Sequence, residues 1–112
     1  MRRVFITNDS GHDYSDAERF GQLVYCTAGQ LDKQDTAGMY RELSVALDES
    51  EPDDYLILSG LTSLCSIACS MLAQRHGCLN LLIFVRGAYV QRSINFDNWM
   101  KGFNRAHVQA EI

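Results

Sequence analysis

Ser10, His12 and Asp13 place a hydroxyl, an imidazole and a carboxylate within four residues. Converged, such groups make a nucleophile, a general base and an orienting acid. Here they share one short polar run, whereas members of a hydrolytic relay come from separate segments so that each side chain can point at the next. The chain also lacks a G-x-S-x-G elbow. His12 is therefore the catalytic candidate on its own, as an acid or base beside Asp9 or Asp13, because imidazole titrates near neutrality. The competing reading is plain turn chemistry, since Asn, Asp, Ser and Gly are what turns use.

Cys65, Cys69, His76 and Cys78 form a Cys-x3-Cys-x6-His-x-Cys string of soft ligands. The spacing is not a familiar zinc pattern. Leu64, Ile67, Ala68 and Met71 surround the first two thiols, and free cysteine packs as a small hydrophobe. We read no metal site and no cofactor. Met1-Arg2-Arg3 runs straight into Val4-Phe5-Ile6-Thr7, which leaves no room for the apolar region of an export signal. With Cys26, the four thiols are expected free in a reducing cytoplasm.

Two loops carry the strongest ligand signal. One holds Asn8, Ser10, Gly11 and His12; the other holds Ser59, Gly60, Thr62 and Ser63. Each precedes an expected helix start, where free N–H groups and the dipole suit phosphate or carboxylate. Neither a GxGxxG nor a GxxxxGK[ST] fingerprint is present.

The elements that position these loops follow from hydrophobic periodicity. Val4–Thr7, Leu23–Thr27, Tyr55–Leu58, Leu79–Val85 and Tyr89–Ile94 read as strands. A helix opens at Ser15 with capping-box spacing to Glu18 and ends at Gly21. A second starts after an Asp35 or Thr36 cap and turns Tyr40, Leu43, Ala46 and Leu47 inward. A third runs from Thr62-Ser63 to Arg75, apolar on most sides, with Gly77 as its stop. Arg86-Gly87-Ala88 turns the fourth strand into the fifth. Asp97 caps a short helix, Asn98–Phe103, whose Trp99 and Phe103 pack back on the sheet; the tail to Ile112 is unassigned.

This alternation implies an α/β three-layer sandwich. Right-handed crossovers give a mainly parallel sheet of order 2-1-3-4-5, with strand 5 antiparallel at the edge. Residues 1–96 form one domain, and 97–112 pack on it or on a neighbour. The helical cover is thin, so one face is expected partly bare and hidden by self-association. Ligands of such sheets sit beyond the strand carboxyl ends where winding reverses, here between strands 1 and 3. The two polar loops end there.

The 112 residues are 46% hydrophobic and 21% charged, which fits a globular domain and excludes a disordered tail or a rod. No apolar run approaches the roughly 20 residues of a membrane span. Charge is uneven: residues 1–74 carry a net −7 and residues 75–112 a net +3. The acidic total disfavours nucleic acid as a partner. Arg75, Arg86, Arg92, Lys101 and Arg105 could form a local basic patch; the simpler account is a solvated surface with edge-strand guards. The acidic run Asp48, Glu49, Glu51, Asp53, Asp54 reads as a solvated corner rather than a calcium loop.

Three runs carry a family resemblance: Ile6–Tyr14, Asp53–Gly60 and Leu79–Leu82. They resemble small proteins encoded by tailed phages, over most of residues 4–92, and more distantly small Rossmann-like nucleotide-binding domains that have the glycine fingerprint missing here. The resemblance implies a phage origin and a host-facing or assembly role, and it transfers no catalytic residue. The expectation is a small binding protein, more a binder than an enzyme, holding a phosphorylated small molecule or nucleotide between the strand 1 and strand 3 loops. The alternatives are an assembly or host-protein interaction protein, and a nucleotide hydrolase or transferase using His12. A homo-oligomer is expected in either of the first two cases.

Overall fold

In the computed structural model, described over residues 2–96, five strands form one sheet of order β2-β1-β3-β4-β5. They are β1 (Arg3–Ile6), β2 (Gln22–Tyr25), β3 (Tyr55–Ile57), β4 (Cys78–Val85) and β5 (Ala88–Asn95). The order is the expected one. β1 runs parallel to β2 and to β3, and β4 pairs antiparallel with β5. β3 meets β4 in parallel through a single register pair, Leu56 with Leu81. That join is reinforced by Asn80, whose amide donates to the carbonyls of Pro52 (2.8 Å) and Asp54 (3.2 Å). The expected helix at residues 97–103, its Trp99 and Phe103, the tail to 112, and Lys101 and Arg105 of the basic patch lie outside the described residues.

The two faces are covered unequally. Helices α1 (Thr36–Ala46) and α2 (Thr62–His76) lie on one face, packed on each other. There Phe5, Leu56 and Leu79 of the sheet meet Met39, Leu43 and Leu47 from one helix and Leu64, Ala68 and Leu72 from the other. Both crossovers move the chain in the same direction across the sheet, so right-handedness puts their helices on the same side. The β1-to-β2 connection moves the other way and reaches the opposite face. Its only helix is a six-residue 3-10 turn, Ser15–Phe20, contributing Ala17 to a second core with Val4, Ile6, Tyr14, Tyr55, Ile57, Leu82 and Tyr89. This face is thus covered by one short helix and a loop; the helix expected from Ser15 to Gly21 has those bounds but is 3-10 rather than α. The Asp13 carboxylate, not Ser15, takes the first free N–H, accepting from Ser15 N at 2.9 Å.

Other boundaries shift for local reasons. Asp35 caps α1, accepting from Gly38 N at 2.9 Å. The buried face is Met39, Leu43 and Leu47, so Tyr40 points outward, 56% exposed. α2 buries a single i, i+4, i+8 stripe rather than most of its surface. Its outer serines satisfy their hydroxyls on the preceding turn, Ser66 on Thr62 O and Ser70 on Ser66 O. Its N-cap is Leu61, without a side-chain cap bond, so neither Thr62 nor Ser63 serves as the cap. In the β4–β5 hairpin Arg86 and Gly87 both take positive φ (51° and 84°), and Ala88 belongs to the strand. Two positive φ values define the type I′ turn that matches strand twist.

The acidic corner is ordered rather than merely solvated. Asp54 accepts from Arg3 N and Glu51 N, both at 2.8 Å, while Arg3 and Arg75 reach the backbone carbonyls of Glu49 and of Leu47 and Asp48. These bonds anchor the loop that delivers the chain into β3.

Candidate functional site

Winding reverses between β1 and β3, and a hydroxyl network joins the two loops that leave them there. Thr7, fully buried at the end of β1, grips Ser59 at both backbone groups. Its hydroxyl accepts from Ser59 N at 2.7 Å and donates to Ser59 O. The Ser59 hydroxyl then lies 2.6 Å from the Tyr14 hydroxyl and 3.2 Å from that of Ser10. Ser10 accepts from the Asn8 amide at 3.1 Å.

Asn8 is a loop organiser, 5% exposed. Its amide also donates to Gly29 O at 3.0 Å, and its side-chain oxygen accepts from the Thr27 hydroxyl at 2.8 Å. Asp9 extends the β1–β2 pairing by a bridge to Ala28 and accepts from Gly11 N at 3.2 Å. Gly60 (φ +93°) lets the second loop approach this frame: a Cβ there would stand 2.9 Å from the Asn8 Cβ. Gly60→Ala should therefore destabilise the fold by about 1–3 kcal/mol, from the left-handed backbone and the clash together. Urea unfolding reads this directly, and an unchanged midpoint would contradict the packing described here.

Above the network lies an open cavity of about 720 Å³. Its polar lining is His12, Asp13, Tyr14, Ser59 and Gly60. Its apolar lining is Leu58, just past β3, and Leu82, Ile83 and Phe84 of β4, with Tyr89 paired to Phe84 across the hairpin. Phe84 is 59% exposed and stands edge-on to Tyr89 at 5.1 Å between ring centres. Burial raises the Tyr89 phenol above its ordinary value, helped by Tyr14, Asp16 and Asp13. Asp13 goes the other way, its carboxyl lowered by hydrogen bonds from the Ser15 backbone and hydroxyl.

The predicted residues separate into two groups. Ser10, Ser59 and Asn8 belong to the network, and His12 and Gly60 line the cavity. Gly11 serves the turn with φ +89°. Ser63 and Thr62 stand apart. The Ser63 hydroxyl donates to Met39 Sδ at 3.6 Å, and Thr62 faces a shallow groove with Cys65, Ser66 and Cys69. The hydrolytic relay does not assemble. Ser10 is held by Asn8 and Ser59, Asp13 by Ser15, and the contact of His12 is an edge-to-face ring pair with Tyr14 at 6.2 Å.

The soft-ligand string is likewise spread out. Eleven residues of helix, roughly 16 Å of rise, separate Cys65 from His76, whose Nε2 pairs with the Ser50 hydroxyl at 2.9 Å. Cys78 donates to Pro52 O.

Thr7, Tyr14, Phe84 and Tyr89 are the site residues that motif reasoning passed over. Thr7 carried a signal, the one polar side chain closing the apolar run of β1. Phe84 carried none, because a phenylalanine in a strand reads as core.

Fold and site together define a mixed α/β protein with a partly apolar cavity at the carboxyl edge of its sheet. Residues 2–98 match the Phage Pam3 gp32-like protein family, and the chain belongs to that family of phage proteins. No curated protein and no solved structure gives a significant match to the chain. Among the described residues, no helix is long and apolar enough to cross a membrane.

Proposed function

We propose that the protein is a non-catalytic, small-molecule-binding phage protein of three-layer, Rossmann-like α/β type, with its ligand in the cavity at the switch point. The observation that carries the reading is the cavity's mixed polar and apolar lining. Apolar walls with a few convergent polar groups are the usual make-up of a small-ligand site, and here Ser59 and Tyr14 line the same cavity as Leu58, Ile83 and Phe84. The lining bears on ligand type. Thr62 and Ser63 lie outside it, and the charged carboxylate on it is Asp13, so a phosphate finds less support here than the loop sequences alone offered.

Native mass spectrometry of the full chain, followed by denaturation, tests the reading. A mass excess lost on denaturation is expected, reduced in Phe84→Ala and in Ser59→Ala. Tyr14→Phe removes one hydroxyl, for which a loss of about 0.5–1.5 kcal/mol in binding, roughly two- to tenfold, is expected. An unliganded protein that also ignores small amphipathic probes would overturn the proposal.

A second reading, self-association or docking on a host protein, rests on one further observation. Ile83, Phe84 and Val85 are each more than 40% exposed at the hairpin end of β4, as is Ile94 on β5. The same spectra report the oligomeric mass. A discrete oligomer that Phe84→Ala dissociates would favour this reading over the first.

A further inference from the structure

Four carboxylates, Asp9, Asp13, Asp16 and Glu18, come from the loop and the 3-10 helix around Tyr14. Asp13 lines the cavity, beside His12. Tyr89, on the wall, lies in the field of Asp16 and Asp13. Tyr25, whose ring meets that of Tyr14 edge-on at 6.0 Å, lies in the field of Asp9, Asp13 and Glu18. Four carboxylates from the loop and the 3-10 helix therefore bear on one cluster of phenols. The hydroxyl oxygens of Ser59 and Tyr14 add lone pairs that can accept from a donor. The apolar part of the lining is accessible, with Leu58 46%, Ile83 43% and Phe84 59% exposed.

Resting on the reading of this cavity as a ligand site, we infer that its ligand is an apolar or aromatic molecule carrying a protonated nitrogen. The ring lies against Phe84 and Leu58, and the nitrogen is directed to Asp13 and the Ser59–Tyr14 hydroxyls. An anion in the same place gives up hydration next to the Asp13 carboxylate, whereas a cation is attracted by that carboxylate and by the aromatic faces.

Two probes with the same ring and opposite charge separate the possibilities: tryptamine and indole-3-propionate, titrated into the full chain and followed by amide shifts of Ser59, Phe84 and Tyr89. At low salt tryptamine should bind about tenfold more tightly, since the partly screened Asp13 carboxylate attracts one probe and repels the other. The gap should narrow to about threefold or less in 1 M salt, where screening acts within roughly 3 Å, and in the double variant Asp13→Asn/Asp16→Asn. Equal affinities, or tighter binding of indole-3-propionate, would overturn the charge assignment while leaving the cavity as a site. A gap that persists undiminished in the double variant would overturn the assignment to these carboxylates. If neither probe moves those amides in the folded protein, the ligand-site reading itself falls, and this inference with it.

Discussion

Thr7→Val should lower the stability of the protein by about 2–4 kcal/mol, while Thr7→Ser should retain most of it. Valine matches threonine in shape but removes the one atom that satisfies both Ser59 N–H and Ser59 C=O. A buried polar backbone group left without a partner costs about 1–3 kcal/mol; the Ser59 N–H is left so, and the Ser59 C=O keeps only the Cys65 thiol, at 3.6 Å. The side chain is completely buried, so water cannot take over without opening the β1–β3 seam. Serine keeps the hydroxyl and sacrifices one methyl group. The effect should also reach the cavity. Once Ser59 is released, its hydroxyl no longer sits 2.6 Å from Tyr14, and ligand affinity should fall in Thr7→Val even under conditions where the protein stays folded. Urea melts of both variants test this. A Thr7→Val midpoint equal to wild type would mean that the clamp is not what holds the loop.

The sheet was legible in the sequence because its strands are short, apolar and β-branched, and because chirality leaves few ways to connect them. Val4–Ile6 and Tyr55–Ile57 are buried on both faces, which is why each reads as an unbroken apolar run. The 3-10 helix was harder. Ser15 and Glu18 have the spacing of a capping box, but the segment runs only from Ser15 to Phe20 before Gly21 takes φ +159° against Arg2 O. A Cβ at Gly21 would stand 2.5 Å from that oxygen. The chain thus closes on β1 before an α-helix can establish itself.

Within the site, the loops at the switch point were readable as loops, and Ser10, His12 and Ser59 fall there. Their roles were not readable. The ordering of Ser59 depends on Thr7, 52 residues away in the sequence, and no local pattern encodes such a pairing. Phe84 and Ile83 are exposed because β4 and β5 continue past the end of β3, whose register with β4 stops at Leu81. That is a mismatch of strand lengths, visible only once the strands are laid side by side. Thr62 and Ser63 illustrate the converse. Their position at a helix start suggested ligand contacts, yet α2 begins with its first turn facing Met39 and Cys65 rather than the cavity.

Cys26 should make the protein progressively less stable as pH rises above about 9. The thiol closes the core between β2 and the α1–α2 face, 9% exposed, and burial pushes it up from 9.0 to about 12. The folded state therefore keeps its proton where the unfolded chain has lost it. Stability from this group is fully present below pH 9 and declines through the interval up to about 12, by as much as 1.4 kcal/mol per pH unit and about 4 kcal/mol in all. Burial raises Tyr25 and Tyr89 as well, so other groups act in the same direction and the cysteine must be isolated by difference. Cys26→Ala leaves a small void and should cost about 1 kcal/mol at neutral pH. It lacks the ionisation, so its stability should fall less steeply in alkali, and the two curves should cross near pH 10. Urea unfolding of wild type and variant at intervals from pH 7 to 11 reads both slopes. Parallel curves would mean that the thiol ionises in the folded protein as easily as in the unfolded chain, and that the core around β2 admits water.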